Sequence, residues 1–149
     1  MMKFALPVRF GIATSGSLIA YFLILSLFNL HINVFYSLFN GFITGFGIYE
    51  AIKYLKIKDG ANFNYRRGFS AGIVTGFVAT LLFTLFFAFY ATEINTNFAG
   101  ELSKVWFKDY NTGEGILFFT VAIMGFATSV VLTLTFMQLF KSYKTTKKE

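Results

Sequence analysis

The chain has 149 residues, of which 56% are hydrophobic, 21% aromatic (22 Phe) and 13% charged, against roughly 25% charged in an average soluble domain. It contains no Cys, which excludes disulfides, thiolate metal sites and cysteine nucleophiles. The net charge of +6 comes from basic residues that flank long uncharged runs and form no contiguous basic patch, so the expected surroundings are a lipid bilayer and no nucleic acid is expected as a partner.

Residues 10–49 contain no Asp, Glu, Lys or Arg, enough for two crossings of a hydrocarbon core at about 20 residues each. Pro7 suits the first turn of a helix, where its missing N–H would be unpaired anyway, and a first span is expected over residues 7–29. Its apolar run is too long for a removable signal peptide, and residues 26–30 offer no small-x-small cleavage site, so the segment is expected to be retained. Asn29-Leu30-His31-Ile32-Asn33 reads as a polar outer turn, short enough to force the flanking helices antiparallel. A second span is expected over residues 34–55, closed by charges and turn formers in residues 56–62. A third follows over residues 65–91.

The connector after it is the long one. Phe98, Leu102, Val105 and Trp106 fall on one face of a helix while Glu101, Lys104 and Lys108 point elsewhere. A short amphipathic interfacial helix is therefore expected over residues 96–110, with Trp106 as its anchor at headgroup depth. Asn111 and Glu114 have the spacing of a capping box, opening a fourth span over residues 112–143, and the basic tail, residues 144–149, is expected to be disordered. The expected architecture is an all-α membrane protein, one domain over residues 1–149, with four transmembrane helices in an antiparallel bundle and the interfacial helix between the third and fourth.

Lys3, Arg9, Lys53, Lys56, Lys58, Arg66, Arg67, Lys141, Lys144, Lys147 and Lys148 fall on one side of these spans. Lys104 and Lys108 fall on the other, with Glu93, Glu101, Asp109 and Glu114 beside them. The positive-inside rule then puts both termini in the cytoplasm, and a bacterial cytoplasmic membrane is the expected location. Lys53, Lys56, Lys58, Arg66 and Arg67, with Tyr54, Phe63 and Tyr65 interleaved, either only set this topology or also contact a lipid phosphate or an acidic partner.

Gly68, Gly72 and Gly76, continued by Thr80 and Thr84, form a strip that lets another helix approach closely, and Gly41, Thr44 and Gly45 form a shorter one. Such strips serve either helix packing within one chain or an interface with a second copy or another membrane protein. His31 is expected to be a solvated turn residue or a headgroup contact, Asn40 to bond to a neighbouring helix, and Glu50 to pair with Lys53 near the inner end of its helix. Ion-coupled carriers need ionisable groups near mid-bilayer, and none is found there. No nucleophile, metal-ligand or phosphate-loop constellation is found either, so no enzyme, metal or cofactor is expected.

The stretch Phe63-Asn64-Tyr65-Arg66-Arg67-Gly68-Phe69-Ser70-Ala71-Gly72, the polar connector from Glu93-Ile94-Asn95 and the basic tail resemble a family of small four-span bacterial membrane proteins, the domain of unknown function 4199 type. Thr96 stands where that family often has a proline. The resemblance implies the four-span fold and carries no functional residues with it. In size, span number and basic inner face the chain is also similar to GtrA-like proteins associated with polyprenyl-phosphate-linked sugars. The expected role is a non-enzymatic accessory or scaffold subunit that contacts membrane lipids and a partner. The alternative is a small oligomeric carrier or flippase for a lipid-linked phosphate compound.

Overall fold

The computed structural model describes residues 5–107 and 114–141, without the side chains of residues 106, 107, 114 and 141. Five α-helices and no strand occur among the described residues: α1 (Ala5–Leu27), α2 (Val34–Asp59), α3 (Tyr65–Phe89), α4 (Phe98–Phe107) and α5 (Glu114–Lys141). Among the described residues, three stretches are long and apolar enough to cross a membrane, namely Ala5–Leu27, Tyr65–Ile94 and Gly115–Phe140, the signature of a membrane protein. At 26 residues α2 is as long, but Asn40, Glu50 and several Gly and Tyr dilute its apolar character.

Local chemistry sets the ends. α1 stops in a Schellman motif: Leu30 N–H donates to Leu25 C=O and Asn29 N–H to Ser26 C=O, with Asn29 in the left-handed region at φ 55°. Asn is one of the few residues besides Gly that adopts this conformation readily. Asn33 then caps α2 by accepting from Phe35 N–H, and Asn64 caps α3 by accepting from Arg67 N–H at 3.0 Å. Where residues 56–62 were expected as a loop, α2 continues to Asp59. Lys56 and Lys58 in its last turn favour the negative end of the helix dipole, and Gly60, at φ 51°, closes it by donating to Lys56 C=O. A π turn over Tyr90–Ile94 extends α3. Asn111 of the expected capping box, Lys108 and the tail over residues 144–149 lie outside the described residues.

Helix α3 sits at the centre, in contact with α1, α2 and α5, while α1 and α5 occupy opposite corners. α1 and α3 run parallel: Thr75 Oγ1 donates to Pro7 C=O at one end, and Ser26 and Tyr90 share a hydroxyl hydrogen bond of 2.6 Å at the other. α2 runs antiparallel to both, with Tyr21 donating to Tyr36 C=O across the α1–α2 pair.

The glycine strip of α3 points inward. A Cβ on Gly68 would lie 2.8 Å from Met137 Sδ. One on Gly72 would meet Thr133 and Ile52, one on Gly76 would meet Ser129 and Ile48, and Thr80 in turn fills the space over Gly125. Each step of four along α3 thus meets a step of four back along α5. Two clusters flank this seam. One, at the end of the bundle expected to be inner, is built on Ile48, Ile52, Phe63 and Met137; the other, at the end expected to be outer, on Phe22, Phe87, Tyr90, Phe98, Leu102 and Leu117.

Candidate functional site

The five cations singled out in the sequence do not converge. Lys53 lies 3.6 Å from Glu50 and over the Tyr49 ring, the pairing that i,i+3 spacing favours. Lys56 lies over the Phe140 ring, 5.2 Å from its centroid. Arg67 pairs with Asp59 at 2.8 Å, on a carboxylate only 12% exposed. Lys58 and Arg66 are exposed. Of the interleaved aromatics, Phe63 is buried under Gly68, Tyr65 stacks on Phe69 and Tyr54 lies against Phe10. Two of the five cations are thus ion-paired, Lys56 lies over a ring, and Lys58 and Arg66 project from the rim.

At the outer end, the amphipathic face expected of α4 is turned onto the protein. Phe98 and Ala99 are fully buried and Leu102 nearly so, in the cluster with Phe22, Phe87 and Leu117. Val105 stays exposed, and the side chain of Trp106, the expected interfacial anchor, lies outside those described. Phe22 is the hub, in edge-on contact with Phe83, Phe86, Phe87, Tyr90 and Phe98 at 4.9–6.2 Å between centroids. Each such pair adds about 0.5–1.5 kcal/mol beyond area burial.

His31 belongs to this cluster, which corrects the expectation of a solvated turn residue. Its ring stacks on Phe98 at 4.7 Å and meets Phe22 and Tyr90 edge-on, and both ring nitrogens are buried without a hydrogen-bond partner. The physical reason is the Schellman turn, which folds the chain back so that residue 31 sits over the helix ends. Burial pushes its pKa below the ordinary 6.5, against a smaller upward pull from Glu101, so the neutral imidazole is the favoured form at pH 7. Asn40 also departs from expectation. Its Oδ1 is buried and has no partner where a bond to a neighbouring helix was expected, and the residue borders a groove between the helices.

That groove is a cavity of about 160 Å³, enclosed by the outer halves of α1, α2, α3 and α5 with α4 above. α2 contributes Ser37, Asn40, Gly41 and Thr44, at the i, i+3, i+4, i+7 spacing of a single helix face, and α3 and α5 add Thr80, Gly125 and Thr128. His31 and Asn40 therefore border one space. Glu50 is not part of it. Gly41 has nothing within 4 Å of an added Cβ, and Gly45 is only in ordinary contact with Leu132 and Phe136. The signal available for this cavity is three polar residues, Ser37, Asn40 and Thr44, on one face of α2 with Gly41 between them; from the sequence Asn40 alone stands out, Gly41 and Thr44 read as a packing strip, and Ser37 is passed over.

The model of a family described as protein of unknown function (DUF4199) matches residues 9–114, which takes in α1 to α4. No curated protein and no solved structure matches the chain.

Proposed function

This chain belongs to the DUF4199 family, and we propose that it is a four-span protein of a bacterial cytoplasmic membrane, both termini inside, acting without catalysis as an accessory or scaffold subunit. The observation that carries the reading is the outer face of α2. Val34, Phe35, Leu38, Phe39, Phe42 and Phe46 lie there, 44–74% exposed, while Ser37, Asn40 and Thr44 turn inward. Leaving one large apolar side chain in water forfeits roughly 1.5–3 kcal/mol, so a row of them on a helix with an inward polar face calls for lipid outside. α1, α3 and α5 present similar rows, among them Ile24, Leu85 and Val131. A girdle around all four long helices supports four crossings.

The role follows from what the two ends offer. Lys58 and Arg66 project from the inner rim toward headgroup level, suited to anionic lipid at roughly 1 kcal/mol per cation and to an acidic partner. A carrier for a lipid-linked phosphate compound would need a cation at the cavity, whereas the described basic residues of this cluster stand at the other end of the bundle. Reporter fusions at both termini and within residues 29–33 test the topology: the termini should report the cytoplasm and the turn the exterior. A turn on the same side as the termini defeats the reading. Native mass spectrometry tests the rim, with the Lys58→Glu/Arg66→Glu variant expected to retain less than half the anionic phospholipid of the parent. Unchanged retention would remove the rim from the account.

A further inference from the structure

The inner halves of α2 and α5 touch, through Gly45 against Leu132 and Phe136 and Tyr49 against Phe136 and Phe140. Beyond Gly45 the two helices part. Gly41 faces empty space, and Gly41 on α2 and Met124 on α5 both border the cavity. Exposed Phe42 and Met124 flank the gap. On the four-span reading, on which this inference rests, the gap is a side door onto the outer leaflet.

Asn40 and His31 both border this cavity, and Asn40 Oδ1 and the two ring nitrogens of His31 are buried without a hydrogen-bond partner. Buried polar atoms left unpaired are costly, and a bound group that pairs with them recovers that cost. The cavity therefore favours an occupant that can donate to an amide oxygen or pair with an imidazole. A hydroxyl can serve either group, since it carries one O–H and two lone pairs. Apart from His31, the residues around the cavity are uncharged, so a carboxylate or phosphate would meet no counter-charge there, and it has no proton to give Asn40. The volume of about 160 Å³ is close to the roughly 150 Å³ that holds one benzene ring in an engineered apolar cavity. It admits the end of a molecule, and the rest must pass out between α2 and α5 into lipid. We infer that this cavity binds the hydroxyl end of an uncharged lipid alcohol, whose hydrocarbon tail leaves through the α2–α5 gap.

The test uses the full chain in detergent and three photoactivatable probes of equal length: a long-chain alcohol, the matching alkane and the matching fatty acid. The alcohol is expected to label residues 34–44 and 121–128 saturably, with competition by unlabelled hexadecanol, and the alkane to bind about tenfold more weakly, as loss of one buried hydrogen bond implies. Asn40→Leu should weaken the alcohol by a similar factor. Gly41→Leu, at a position with room for the side chain, should abolish labelling in these segments while elution and thermal unfolding stay as in the parent. Equal labelling by alkane and alcohol, labelling indifferent to Gly41→Leu, or no saturable labelling, as in a merely hydrated cavity, overturns the inference. Preference for the fatty acid overturns the uncharged class. Saturable alcohol labelling combined with failed topology reporters would uphold the site and refute only its bilayer access.

Discussion

The two halves of the molecule are packed by opposite means. Along the α3–α5 seam the contacts are Gly against Thr, Ser or Met, and the hydroxyls are satisfied within their own helix: Ser129 donates to Gly125 C=O and Thr133 to Ser129 C=O, at 2.8 and 2.7 Å. Backbones approach closely there and Ser129 and Thr133 need no partner from across the interface; further along the strip, Thr84 Oγ1 is buried without one. At the outer end, rings take the place of small residues. Phe22, His31, Phe87, Tyr90 and Phe98 contact one another through edges and faces, and flat rigid groups meeting at steep angles leave space between them. Small residues fix register; rings create volume. The cavity lies in the half built from rings.

The sharpest way to break this contrast is to give the seam bulk. Gly72→Leu/Gly76→Leu sets two side chains against Thr133 and Ser129, and overpacking of this kind costs about 1–3 kcal/mol or more per site. Monodisperse protein should no longer be recovered on size exclusion, whereas Gly16→Leu, at a position with nothing within 4 Å, should elute as the parent does. Next in size is Phe22→Ala, which removes the hub of the outer cluster and should lower stability by about 3–5 kcal/mol in a denaturation titration. A loss below 1 kcal/mol would mean that the aromatic end is not a cohesive unit.

The smallest effect separates the halves by pH. Burial lowers the pKa of His31 from 6.5, so near that pH the unfolded chain binds more protons than the folded one. Stability then rises with pH through this window and is lost as pH falls below about 6.5. The thermal midpoint should drop between pH 7.5 and 5.5 in the parent and drop less in His31→Phe. The inner seam contains no titrating group among the described residues, and its contribution should not move.

Much of the fold was legible in the chain because charge-free length, capping residues and the period of α4 are local signals. Asn64 stands where a cap belongs, and the inner Glu50–Lys53 pair follows from spacing alone. The site was not legible in the same way. His31 looked solvated because a five-residue turn is normally wet, and only the fold-back at Asn29 brings its ring onto Phe98. The Arg67–Asp59 pair depends on a 3-10 turn over Gly60–Asn62 that follows an unforeseen extra turn of α2. Asn40 on its own is one amide, although with Ser37, Gly41 and Thr44 it marks a polar face on a helix whose back is Val34 followed by Phe and Leu. What Gly68, Gly72 and Gly76 face is a property of the assembled bundle and no pattern within α3 reveals it.

The matched teeth of α3 and α5 also govern slippage. A slide of α5 by one turn, about 5.4 Å, in one direction drives Thr80 onto Ser129, where two branched or hydroxylated side chains compete for room made for one. In the other direction Gly76 comes to face Gly125, and a hollow opens where atoms had touched. Crowding resists the first displacement and emptiness the second, so the register of α5 against α3 is held from both sides.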